Sequence, residues 1–238
     1  MIPSHASRSR GFTIVELLVV ITIIVVLAAL IFPLVSNFKR KAQAVDSLNR
    51  IKQCGAIVFS RAADTNNVLQ IHVSGTSSGI QDLRLYGMVE ESIGTNMVGK
   101  LVYTPAYEKK ASGTWPVWAV NIDSNPDMGI TWKRISVERQ GTPRNVETLR
   151  LATCVSPERY PLFADSSSAA GDPRTGFGND NTYKFAMRYG SKGPIFFLDG
   201  SAGMVGLGEM AKYGIKRGFV FKDDPTIAPT LVTANVTP

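Results

Sequence analysis

Apolar and polar positions divide the chain into two kinds of segment. From Ile14 to Val35 the residues are apolar apart from Glu16 and Thr22. At 1.5 Å per residue, this run of about 20 residues is long enough to cross a hydrocarbon core of roughly 30 Å. Past Pro33 the pattern becomes amphipathic. Phe38, Ala42, Val45, Leu48, Ile51, Gly55 and Val58 recur at spacings of three or four, which places them on one stripe of a helix. Lys39, Arg40, Gln43, Asp46, Asn49, Arg50 and Gln53 fall on the opposite face. The pattern predicts one helix from about Phe12 to Ala62, about 75 Å long, with its stripe against the rest of the protein. Proline removes a helical hydrogen bond, so a kink or local melting is expected at Pro33.

After Asp64-Thr65-Asn66-Asn67 the helical period stops, and Gly, Ser, Thr and Pro interrupt short apolar and aromatic runs. These runs predict strands at Leu83–Val89, Trp115–Ile122, Ile130–Val137, Thr148–Val155, Tyr160–Phe163, Tyr183–Met187, Ile195–Leu198 and Ala202–Val205. The expected fold class is α+β, a long N-terminal helix packed against a loop-rich antiparallel β-sheet head. The expected organisation is a basic leader (1–11), a transmembrane helix (12–36), an amphipathic helix entering the head (37–63), the head (64–222) and an extended tail (223–238).

Charge and cysteines narrow the function. The formal charge is +7, but it is spread out, and the basic stripe with interleaved aromatics that marks a nucleic-acid platform is missing. No nucleic-acid partner is expected. Cys54 and Cys154 cannot form a metal cage by themselves; they are either one disulfide between helix and head or two buried thiols.

The apolar run does not end in a small-x-small cleavage site, so it does not read as a signal peptide removed after its apolar core. Lys39, Arg40 and Lys41 follow the span and Arg8 and Arg10 precede it, so Lys/Arg counting favours the second flank as cytoplasmic. Glu16 is the informative residue. A carboxylate at the centre of a membrane helix costs roughly 2.5–3.5 kcal/mol, and less near its ends. Glu16 therefore either finds a partner or snorkels to the interface.

The stretch Gly11-Phe12-Thr13-Ile14-Val15-Glu16-Leu17-Leu18-Val19-Val20-Ile21 resembles the processing site of type IV prepilins and type II secretion pseudopilins. In that family a membrane peptidase cuts after the glycine and methylates the new N-terminal residue. The resemblance maps these roles onto Gly11 and Phe12. Glu16 then becomes the fifth residue of the mature chain, the family's acidic position, and Pro33 falls where many members carry a helix-kinking proline. Cleavage removes Arg8 and Arg10, lowering the formal charge from +7 to about +5 before the new amine is counted. In a helical stack that amine can pair with Glu16 of a neighbour.

A second resemblance lies near the C-terminal end. Many prepilin-like proteins close with a histidine, nine residues, then Asp-Gly in a strand-turn-strand. Here Phe196-Phe197-Leu198-Asp199-Gly200 matches the end, with Tyr189 at the histidine position. Asp-Gly between apolar runs is also a plain hairpin signal. Major pseudopilins often hold calcium in a loop of the head, so the resemblance leaves calcium open, with Asp172 and Asp180 as candidate ligands; no other cofactor is expected.

Other motifs fail. Gly75-Thr76-Ser77-Ser78-Gly79 fits a nucleophile elbow, but His72, the only histidine outside the leader, precedes Ser77 whereas the hydrolase order needs it later. Asp123-Ser124-Asn125-Pro126-Asp127-Met128-Gly129 starts like a calcium loop, yet Met128 occupies the glycine position and Arg134 that of the closing glutamate. No enzyme activity is expected.

The resemblance thus implies a structural subunit of a type IV pilus-like or type II secretion pseudopilus filament. Its implied partners are copies of itself and related pilin-like subunits, prepilin peptidase, an inner-membrane assembly platform and membrane lipid. It would sit as a single-pass protein of the inner membrane, leader cytoplasmic and head extracytoplasmic, and after assembly in a periplasmic or surface filament. The alternative is a membrane-anchored extracytoplasmic binding module or enzyme with an uncleaved signal anchor.

Overall fold

The computed structural model describes residues 13–73, 89, 92–93, 101, 118–121, 123–139, 142–172, 178, 184–222 and 228–234. The chain forms two compact units, residues 1–41 and 42–238, and helix α1 (Ile14–Asp64) contributes to each. In the first unit, Ile14–Ile31 has a mean hydropathy of 3.2 and none of it is buried. The chain is helical at Pro33 and on both sides of it. The local melting expected there is absent: proline removes one backbone hydrogen bond, and the helix continues past it.

In the second unit, α1 packs by Ser47, Ile51, Cys54, Gly55, Val58 and Ala62, all buried. The expected stripe is therefore corrected at its start. Phe38 and Val45 are each 60% exposed, and Ala42 is exposed too; the helix contributes to the head's core only from Ser47 onward. The helix stops at Asp64 because Asn66 and Asn67 adopt left-handed backbone (φ 55° and 57°), and the Asn67 N–H then caps the Ala62 carbonyl at 2.9 Å.

Among the described residues ten strands follow: β1 (Val68–Val73), β2 (Trp118–Val120), β3 (Lys133–Arg139), β4 (Thr142–Arg150), β5 (Pro161–Ser167), β6 (Lys184–Met187), β7 (Lys192–Phe197), β8 (Ala202–Gly206), β9 (Arg217–Val220) and β10 (Thr230–Thr233). They form a three-stranded sheet, β1-β4-β3, and a second sheet ordered β10-β9-β6-β5-β7-β8, with β2 also pairing β5. The class is α+β as expected, but the second sheet is mixed: β6 and β9 run parallel. β1, β9 and β10 lie outside the expected strands. Thr148–Val155 is strand only to Arg150 and then turns as a 3-10 helix. Leu83–Val89 lies outside the described residues except for Val89, which is helical. The segment read as an extended tail contributes β10, paired with β9, and a buried Ala234.

Side chains alternate across a strand, so the large sheet serves two cores. Phe163 of β5 opposes Phe196 of β7, and both pack with Ile51, Cys54 and Val58 of α1. Their neighbours Ala164 and Ile195 point the other way, to Phe185, Met187 and Met210. A register shift between Pro161 and Phe163 lets Leu162 and Phe163, although consecutive, both join the helix-side core.

Candidate processing and assembly segment

Two polar groups must be accommodated in the apolar helix, and each is satisfied within it. The backbone N–H and the hydroxyl of Thr13, the residue before α1, both donate to the Glu16 carboxylate at 2.9 Å, and the Glu16 N–H donates back to Thr13 Oγ1 at 3.2 Å. This is a reciprocal capping box, with the acid in the first helical turn where the helix dipole favours negative charge. The Thr22 hydroxyl donates to the Leu18 carbonyl at 2.7 Å. Reasoning from the sequence looked for a partner of Glu16 outside the chain and missed the one three residues away, although Thr-x-x-Glu is itself the signature of a capping box. Gly11 and Phe12 lie outside the described residues.

In the head, Asp199-Gly200 forms the turn between antiparallel β7 and β8. Gly200 takes φ 88°, and Asp199 Oδ1 accepts from the Ser201 N–H at 2.9 Å and from its hydroxyl at 2.7 Å. Tyr189, at the position of the histidine, is buried and hydrogen-bonded to Ser47 of α1, so this position ties the sheet to the helix. Next to it, Arg188 Nε donates to Asp165 Oδ2 at 2.8 Å, the two side chains 6% and 0% exposed. The guanidinium carbon also sits 4.0 Å from the centroid of Phe221. Burial pushes the Asp165 carboxyl up to about 6 against the pull of Arg188. No local pattern announces this pair, whose members are 23 residues apart.

Cys54 and Cys154 are free thiols, so the disulfide considered from sequence is not formed. Cys54 is buried, with Sγ 3.7 Å from the Leu101 carbonyl, while half-buried Cys154 lies 3.7 Å from the Arg150 carbonyl. The calcium candidate Asp180 lies outside the described residues, as does Ser77 of the stretch considered as a nucleophile elbow. The Asp172 carbonyl accepts from the Ser168 N–H at 2.9 Å. The Asp123 carboxylate lies against Gly178, where a β-carbon would collide with it, so the two stretches considered for calcium meet. Among the described residues no three His, Cys, Asp or Glu cluster as a metal site.

Comparison with known proteins locates a recognisable signal at the N-terminal end. Residues 6–32 match the family model of the prokaryotic N-terminal methylation motif. No curated protein and no solved structure matches the chain. The match encloses Gly11, Phe12, Thr13 and Glu16 and runs to the end of the exposed apolar helix; the chain therefore carries the prepilin-type methylation motif on an apolar N-terminal helix, as type IV pilin-like proteins do.

Proposed function

We propose that this protein is a structural subunit of a type IV pilus-like or type II secretion pseudopilus filament. It is inserted in the inner membrane with its leader cytoplasmic and its head outside, cut between Gly11 and Phe12, and methylated on Phe12. It then assembles with copies of itself and related subunits on an inner-membrane platform. Its role is mechanical rather than enzymatic. The observation that carries this reading is the coincidence of the methylation motif over residues 6–32 with an acid at the start of an apolar helix of which Ile14–Ile31 is wholly unburied. In the free subunit Glu16 rests on Thr13; in a filament the amine of Phe12 from a neighbouring copy takes over part of that coordination, bringing a charge to a charge.

One observation favours the second reading, a membrane-anchored module with an uncleaved anchor: Glu16 is already hydrogen-bonded within its own chain. Mass spectrometry of the protein from cells that hold the prepilin peptidase separates the two. A chain beginning at methylated Phe12 supports the filament subunit, and a chain beginning at Met1 overturns it.

A further inference from the structure

The basic residues after the span run against the rule that cytoplasmic flanks carry the excess of Lys and Arg. Their placement gives a reason for them. The apolar run from Ile14 to Val35 measures about 33 Å at the helical rise, enough to fill the hydrocarbon core. Lys39 stands four residues further on, about 6 Å past Val35, at the depth of the headgroups, which add roughly 5–8 Å on each side, and Lys41, about 9 Å past it, lies just beyond, within reach of its long side chain. Phe38 is 60% exposed, and Lys39 and Lys41 are exposed. Lysines whose stems reach the headgroups, beside an apolar ring that turns to the acyl boundary, suit a membrane interface.

The angular arrangement identifies the partner. Consecutive helical residues are about 100° apart, so Lys39 and Lys41 diverge by about 200° and project from opposite sides of α1. A protein neighbour touches one side of a helix, whereas a layer of headgroups surrounds it. We infer that Phe38, Lys39 and Lys41 form a collar that binds anionic phospholipid headgroups of the extracytoplasmic leaflet. The collar holds the subunit at a fixed depth in the bilayer. The inference rests on the span crossing a bilayer with the head outside, as proposed above, and not on filament assembly.

The test uses the full chain reconstituted in phosphatidylcholine vesicles containing phosphatidylglycerol. Electron paramagnetic resonance of spin-labelled lipids measures the fraction of each lipid immobilised at the protein. The wild type should immobilise phosphatidylglycerol in preference to phosphatidylcholine, by about fivefold per lysine at most, the factor that corresponds to about 1 kcal/mol. The preference should fall towards parity in the Lys39→Gln/Lys41→Gln variant, persist in Lys39→Arg/Lys41→Arg, and weaken at about 1 M salt. Equal immobilisation of the two lipids by the wild type, or a preference untouched by the glutamines, overturns the collar. Immobilisation of neither lipid overturns the collar and the span together.

Discussion

The ring of Phe196 on β7 occupies the space that a β-carbon at Gly55 of α1 would need: its Cζ, Cε1 and Cε2 all fall within the clash distance of that position. The ring cannot easily withdraw. It stacks on Phe163 at a centroid distance of 5.6 Å and tilts against Phe59 at 5.7 Å. The helix-to-sheet distance in the head is thus set where a residue without a side chain faces one of the largest. Gly55→Ala should raise helix propensity by about 1 kcal/mol and still lose stability, by about 1–3 kcal/mol from overpacking. Urea denaturation of the detergent-solubilised protein measures this, and Gly55→Ala/Phe196→Leu should recover part of the loss. An alanine variant as stable as the wild type would contradict the packing described.

How much of this was legible beforehand depended on the range of each signal. The helix and its end at Asn66-Asn67 follow from hydropathy and from residues that tolerate left-handed backbone, which are local properties. β6, β7 and β8 were visible because Phe185, Ile195, Phe196 and Val205 sit in short apolar runs bounded by turn residues. β9 and β10 were not, since Arg217-Gly218 and Thr230 carry weak strand signals and acquire their state by pairing with one another and, for β9, with β6. Parallel pairing of β6 with β9 across 29 intervening residues has no local signature. The amphipathic stripe was read correctly from Leu48 onward and wrongly at Phe38, Ala42 and Val45, because periodicity reports which residues share a face and not how far the head extends along it.

The buried pair Arg188–Asp165 makes a prediction with a definite sign. The Asp165 carboxyl is raised to about 6 by burial, above its unfolded value near 3.9. A raised folded value means that the group's stabilising contribution is complete below about pH 4 and is lost as pH rises through 6. Asp165→Asn should therefore flatten the fall in urea midpoint between pH 4 and about 7. Arg188→Met removes the cation that offsets the ionised form, and should cost about 3–5 kcal/mol at pH 8 and distinctly less below pH 5, where the acid is neutral. A cost independent of pH would show that the arginine matters through its contact with Phe221 rather than through charge.

The two thiols should behave differently although neither is bonded. Burial pushes Cys54 up to about 12 and also raises half-buried Cys154; since the thiolate is the nucleophile, both are slow, and Cys54 is the slower. Alkylation of the native protein at pH 8 should modify Cys154 alone, with Cys54 following only in denaturant. Intact mass should show both hydrogens present before labelling, even for protein recovered from an oxidising compartment. A mass two units lower that disappears on reduction would establish the disulfide that the geometry lacks.

Glu16 supplies the last prediction, and Thr13 sharpens it. Within one chain the carboxylate accepts from the N–H and the hydroxyl of Thr13, so on the proposed reading the acid is not left bare in the membrane before assembly. Glu16→Ala removes the acceptor for any incoming amine but leaves the apolar helix and the glycine before the cut intact. Insertion and processing should proceed normally, while incorporation into filaments should be poor. Thr13→Val removes the hydroxyl that donates to the Glu16 carboxylate and accepts the Glu16 N–H, leaves the backbone N–H and costs about 1 kcal/mol of capping, so filament incorporation should survive in it. Immunoelectron microscopy of filaments, with immunoblots of the membrane fraction as the loading control, distinguishes the outcomes. If Glu16→Ala assembled as well as the wild type, the carboxylate would be a cap for its own helix and nothing more.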